Sequence, residues 1–315
     1  NLVSGATSTT SNTTTGGGSS GYQQSGQVVI SYTMSTPSTP DLDTASDTGS
    51  STSDDLTNDT TPTFSGTATG GSTVQLLVGG VASGSTCTAN STTGAWSCTT
   101  ATLTAGAKSV TAQSTIGSTT VTSSAISITI DTTAPTASAT TATIRSASSA
   151  TAQSTETGTV YLVLSSVTVS TEASITGAAD ASWNSASVTA ANTNTSIVGT
   201  GLSDGSYKVY AVDTAGNVSS ASTNTVTLDS TAPTASVTAT SVSAGSTVSV
   251  SITLSEASSN FALADLSATG GTLSSFASSS STAYTVTFTP AGTVGGTGTV
   301  TVAAGSFSDA AGNTN

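Results

Sequence analysis

The octet DTTAPTAS at residues 131–138 returns as DSTAPTAS at residues 229–236, 98 positions further on. A period of that length is one whole domain. Each copy follows a run that alternates like a strand and ends in an acid: Ile126, Ile128 and Ile130 before Asp131, and Val226 and Leu228 before Asp229. The chain therefore reads as similar modules joined end to end, with a carboxylate at each junction.

Composition narrows what those modules are. Charged residues make up 6% of the 315 positions, against about 25% in an ordinary soluble domain. Hydrophobic content is 34%, so the cores must be small and thin. Val and Thr are abundant and alternate, which separates this chain from a disordered one. Runs with a period of two recur throughout: Val74, Leu76 and Val78; Val110 and Ala112; Val160, Leu162 and Leu164; Tyr207, Val209 and Ala211; Val248, Val250, Ile252 and Leu254; Tyr284, Val286 and Phe288; Val300 and Val302. Such short strands, six or seven to a stretch of roughly 85–100 residues, are the pattern of an antiparallel β-sandwich. No stretch keeps a helical period over the 11 or so residues that would define a helix.

These observations divide the chain as follows. Residues 1–40 are a Ser/Thr/Gly-rich lead-in with one strand at 27–32 and a Pro-punctuated linker; modules follow at 41–131, 132–229 and 230–315. The last module is expected to lack its final strand, because the chain stops two residues after Asn313 whereas Val226–Leu228 follows Asn217. Two origins for that strand are open: the next residues of a longer array, or residues 27–32 of a neighbouring copy, donated to the open sheet.

Cys87 and Cys98 flank a turn near residues 92–94. Read as a hairpin, the register sets Cys87 opposite Cys98 and Ala89 opposite Trp96. That proximity suits a disulfide and an oxidising compartment; the other reading is two buried free thiols.

Several motifs make the resemblance specific. They are NDTTPTFSGTA at 58–68 with GSTV at 71–74 and GAWS at 94–97; GLSDGSYKVYAVDTAGN at 201–217; and LSE at 254–256, TGGTL at 269–273 and AGSFSDAAGN at 304–313. With these the chain resembles the bacterial immunoglobulin-like repeats of large surface adhesins and biofilm-associated proteins, over residues 41–315. The resemblance implies an all-β fold, a tandem array of three immunoglobulin-like antiparallel sandwiches with an N-terminal extended segment. It also implies an extracellular, cell-surface setting.

In that topology the loops DTAGN at 213–217 and DAAGN at 309–313 lie at the pole of their module where the preceding linker enters. Asp131 precedes Asp213 by 82 residues, and Asp229 precedes Asp309 by 80. Glu156 and Glu256 follow the same linker acids by 25 and 27 residues. Each junction is therefore expected to gather a linker Asp, a loop Glu and an Asp/Asn pair: Asp131, Glu156, Asp213 and Asn217, then Asp229, Glu256, Asp309 and Asn313. Clustered hard oxygens of this kind suit Ca²⁺, and the resemblance implies interdomain Ca²⁺ as well. The other reading is that the same residues build Asx-turns; the two are compatible. The first module has no DxxGN loop. It carries instead Asp41, Asp43, Asp47, Asp54, Asp55 and Asp59, either a different cation arrangement or a solvated loop.

Function classes follow by exclusion and by likeness. There is no His, which removes Ser-His, Cys-His and His-zinc sites, and no enzyme is expected. Sixteen acids face three bases, Lys108, Arg145 and Lys208, for a net charge of −13; nucleic acid is a poor partner for such a surface. No apolar run approaches the ~20 residues of a membrane span. The reading is an extracellular structural protein, an adhesin stalk or filament. Its partners are further repeats or neighbouring copies and a host or matrix ligand. Two alternatives are a phage fibre or decoration protein, suggested by a short likeness of residues 16–32 to the end of glycine-rich domains found in phage tail and secreted bacterial proteins, and a strand-donating filament subunit.

Overall fold

The structure is a computed structural model and describes residues 33–292 and 294–315; the expected strand at 27–32 lies outside the described residues. One compact unit comprises the described residues up to Ala134 together with Asp213–Asn217. The other comprises Pro135–Val212 and Val218–Asn315.

The first unit is a β-sandwich. One sheet has the order β1 (Asp41–Leu42), β3 (Thr63–Thr67) and β6 (Ala95–Thr99). The other has the order β2 (Leu56–Thr57), β9 (Ile126–Ile130), β7 (Gly106–Ile116), β4 (Thr73–Val78) and β5 (Val81–Thr88), with β8 (Thr119–Thr122) paired to the far end of β7. Alternation decides which residues face inward: Phe64, Val74, Leu76, Trp96, Val110, Ala112, Ile128 and Ile130 meet between the sheets. Outward positions carry hydroxyls in place of charges. Thr63 and Thr99 are cross-strand neighbours whose Oγ1 atoms lie 2.8 Å apart, a pairing that contributes a few tenths of a kcal/mol, up to about 1.

Cys87 and Cys98 are joined as a disulfide with Cα atoms 5.7 Å apart, but not across a hairpin. Cys87 lies on β5 opposite Val74 of β4, and Cys98 lies on β6 opposite Phe64 of β3. The two strands are edges of different sheets, so the bond closes one side of the sandwich. The intervening corner is held by Asn90, whose Oδ1 accepts the amides of Thr92 and Thr93 at 2.9 and 3.0 Å.

The second unit contains two sandwiches. The first has sheets β10 (Ala137–Ala139), β12 (Ser149–Ser154), β15 (Thr195–Val198), and β11 (Ala142–Ile144), β17 (Val226–Leu228), β16 (Gly205–Asp213), β13 (Gly158–Leu164), β14 (Trp183–Val188). This strand order repeats that of the first unit position by position, including a short strand, β11, parallel to the last one. Tyr207 is fully buried and its hydroxyl donates to the Ser203 carbonyl at 2.6 Å, the corner tyrosine of immunoglobulin-like sandwiches. Between β13 and β14 the chain adds a single helical turn, α1 (Glu172–Thr176), capped by Thr171. Ile175 of α1 packs with Tyr161, Val163 and Val212 on the outer face of the sheet. The Tyr161 hydroxyl donates to the Glu172 carboxylate; burial first, then that carboxylate, holds its pKa above the usual tyrosine range.

The remaining sandwich has sheets β18 (Ala235–Ala239), β19 (Val248–Leu254), β22 (Ala283–Pro290), β21 (Gly271–Ser278), and β20 (Leu266–Thr269), β23 (Thr299–Val302). Its core is the most aromatic of the three. Phe261 stands edge-on to Tyr284 and Phe307, with ring centroids 4.8 and 5.1 Å apart.

Candidate metal centre

The Asp309 loop lies beyond the end of β23, at a reversal across which Ser308 pairs with Thr314. The reversal is a tight turn stabilised by the side chain of its first residue. Asp309 Oδ1 accepts the amides of Gly312 and Asn313 at 2.8 and 2.9 Å. Gly312 sits at φ +91°, a conformation that L side chains rarely adopt. Asp309 itself is 6% exposed, so its carboxylate is held almost entirely by the loop.

Asn313 ties this turn to the linker. Its Nδ2 donates to Asp309 Oδ2 and to the backbone carbonyl of Asp229, each at 2.9 Å. Asp229, at the end of β17, in turn caps its own turn through Thr231 N at 3.0 Å. Glu256 enters from the loop after β19. One carboxylate oxygen from each of Asp229, Glu256 and Asp309 lies within 4.8 Å of the others. The Glu256 carboxyl is held above its ordinary value by desolvation, then by the charges of Asp229 and Asp309.

Among the described residues no basic side chain bonds to these carboxylates. Lys108 donates to Thr104 Oγ1 and the Ala105 carbonyl, and Lys208 to the carbonyls of Thr223 and Asn224. Arg145 Nη1 donates to the Gly312 carbonyl at 3.3 Å, which steadies the loop's backbone. This contact was not readable from the sequence, where Arg145 carries no motif. The donor set of three carboxylates converging without a counter-charge fits a hard divalent cation. The Asx-turn also stands: three N–H donors already serve Asp309, and an ionised carboxylate has about four acceptor sites.

The Asp213 loop is built in the same way. Asp213 Oδ1 accepts the amides of Ala215 and Asn217, each at 2.9 Å, and Asn217 Nδ2 donates to Asp213 Oδ2 at 2.8 Å and to the Asp131 carbonyl at 2.9 Å. In the same compact unit, the residues ahead of β2 hold this loop from outside. Ser50 N donates to the Thr214 carbonyl at 3.2 Å and Thr48 Oγ1 to the Ala215 carbonyl at 2.9 Å. Glu156 lies just after β12, in the place that Glu256 holds just after β19.

Comparison with known proteins gives two family matches. A model described as a bacterial Ig-like domain matches residues 33–132, and a second with the same description matches residues 229–315. No curated protein sequence matches the chain. Among solved structures, a biofilm-associated protein's BSP domain is similar at 18% identity and TM-score 0.21, over 60% of this chain and 29% of that one. Invasin, a bacterial integrin-binding protein, is similar at 15% identity and TM-score 0.30, over 78% of this chain and 54% of its own. SGBP-B of the Bacteroides ovatus mixed-linkage glucan utilization locus, in complex with a mixed-linkage heptasaccharide, is similar at 16% identity and TM-score 0.22, over 82% and 60%. The chain thus spans less than two thirds of each of these structures.

Proposed function

From the premise that this chain is built of bacterial Ig-like domains, we propose that it is a length of shaft in a bacterial surface adhesin or filament, without enzymatic activity. Its modules run 41–131, 132–229 and 230–315. Their work is mechanical: each sandwich adds length, and each linker is stiffened where it enters the next module. The supporting observation is the convergence of Asp229, Glu256 and Asp309, with Asn313 bonded to the linker backbone.

A Ca²⁺ ion held there would supply charge neutralisation and a cross-link between linker, loop and turn. By the repeat, Asp131, Glu156, Asp213 and Asn217 are the equivalent set one module earlier. The disulfide supports an oxidising, extracellular location. Among the described residues no helix is long and apolar enough to cross a membrane. The partners proposed are further repeats of the same kind along the shaft and a host or matrix ligand at its end.

The test is thermal unfolding of the full chain in EDTA and after Ca²⁺ add-back, with D309N alongside. Binding at about 100 times Kd stabilises by about 2.7 kcal/mol, which moves a domain of this size by several degrees. The expected result is a rise in Tm with Ca²⁺ in the wild type and a smaller rise in D309N. An identical Tm with EDTA and with Ca²⁺ rejects the junction ion.

A further inference from the structure

Among the described residues, β23 pairs with β20 and with no other strand. Its counterparts are flanked on both sides: β7 lies between β4 and β9, and β16 between β13 and β17. In both, the second neighbour is a short antiparallel strand with apolar residues two apart, Ile126, Ile128 and Ile130 in β9 and Val226 and Leu228 in β17. Core exposure follows the pairing. Val110 and Ala112 of β7, and Tyr207, Val209 and Ala211 of β16, are 0% exposed. Val300 and Val302 of β23 pack on their own cluster but are only partly buried. An unpaired strand edge beside partly exposed core is a template for another strand.

The sequence contains a segment with the character of that second neighbour. Residues 27–32, QVVISY, lie outside the described residues, and their pattern sets Val28, Ile30 and Tyr32 two apart. Their place in the chain fits as well. Ile130 and Leu228 are each followed by a linker containing Thr and Pro and, seven residues on, by the first strand of the next sandwich, β10 or β18. Tyr32 is followed by the linker TMSTPSTP and, nine residues on, by β1. Residues 27–32 thus stand ahead of the first sandwich as β9 and β17 stand ahead of the other two.

We propose that residues 27–32 of one copy add to the free edge of β23 in a second copy, antiparallel to it, with Ile30 and Tyr32 in the places that Val226 and Leu228 take beside β16. Main-chain hydrogen bonds hold such an added strand, and its alternate side chains enter the core. The contact joins two different surfaces, so it propagates from copy to copy and continues the array of sandwiches. It extends the shaft reading and is independent of the junction ion. Thr33 stands where Asp131 and Asp229 follow their strands, and the loop of the first sandwich that corresponds to DTAGN reads STIGS at 114–118. Neither supplies the linker Asp or the Asp/Asn pair of a junction, so chelation leaves this contact in place.

Sedimentation velocity of the full chain over a range of concentrations, with and without EDTA, tests this alongside I30D, a substitution outside the three sandwich cores. The expected result is a concentration-dependent series of oligomers for the wild type in either buffer. I30D is expected to raise the concentration needed by about tenfold or more, the effect of losing one buried apolar side chain. Hydrogen exchange locates the contact: a peptide copying residues 24–34, added to the I30D chain, is expected to protect amides within residues 299–302 and to leave β7 and β16 unchanged. A wild type that stays monomeric, or assembly that I30D does not alter, would overturn the proposal. So would protection of 299–302 by a peptide copying residues 224–230 and not by the one copying 24–34, since the occupant would then be a strand of the β17 kind. Assembly that persists in EDTA while Tm ignores Ca²⁺ upholds the contact and rejects the junction ion; a Ca²⁺-dependent Tm in a chain that stays monomeric does the reverse.

Discussion

Glu256 shows how one side chain reports on its surroundings. Its pKa is raised from 4.5, first by desolvation, then by Asp229 and Asp309. A group whose folded pKa lies above its unfolded value contributes stability that is fully present below the unfolded pKa. That contribution is lost as pH rises through the folded pKa. In EDTA, the wild type is therefore expected to lose stability relative to E256Q as pH climbs from about 4 toward neutrality, because the glutamine never develops the third charge. Urea midpoints of both proteins at a series of pH values check this. A difference that stays flat across the carboxylate range would show that the three acids do not feel one another. With Ca²⁺ present the order is expected to reverse near pH 7, since the charge that repels its neighbours then serves as a ligand.

At the scale of elements, the disulfide shows most clearly what a strand pattern contains and what it omits. It bonds β5 to β6, edge strands of opposite sheets, so its loss frees one side of the sandwich rather than one hairpin. The chain-entropy account gives about 3 kcal/mol for a closed loop of this length. Replacing both cysteines by serine is expected to cost about 2–4 kcal/mol in denaturant unfolding of the first sandwich; a cost near zero would mean that the corner at Asn90 alone holds the edges together. The pairing of Cys87 with Cys98 was legible because alternation marks Cys87, Ala89, Trp96 and Cys98 as inward-facing. Whether inward meant the same face of one sheet or facing sheets was not legible, since both arrangements share that alternation. Other elements were hidden for a related reason. Leu56–Thr57 and Ala142–Ile144 are too short to alternate, yet they pair in parallel with β9 and β17. α1 is a single turn, below any helical period. The acids of the candidate centre were legible from their spacing. That Asn313 donates to the Asp229 backbone, and that Arg145 reaches the same loop, depends on side-chain direction, which spacing does not encode.

At the scale of the whole molecule, the repeated octet corresponds to a repeated strand order, because each copy starts where the last strand of a sandwich ends. Three hydrophobic clusters fill the three sandwiches, and no residue belongs to two of them. Burial within each cluster depends on that cluster's own strands, so nothing in the cores requires the sandwiches to melt together. Scanning calorimetry of the full chain is expected to give a calorimetric enthalpy larger than the van't Hoff value, resolvable into component transitions. Reductant should lower the component that contains Phe64 and Trp96, the core crossed by the Cys87–Cys98 bond, and leave the others in place. EDTA should act differently, lowering the component that contains Phe261 and Phe307, whose sandwich carries Glu256 and Asp309, and with it the component whose sandwich carries the equivalent Glu156. A single transition with an enthalpy ratio of one, shifted as a whole by either reagent, would mean that the linkers couple the sandwiches into one folding unit. The junction carboxylates would then act through cooperative folding of the entire chain, rather than by stiffening one linker at a time.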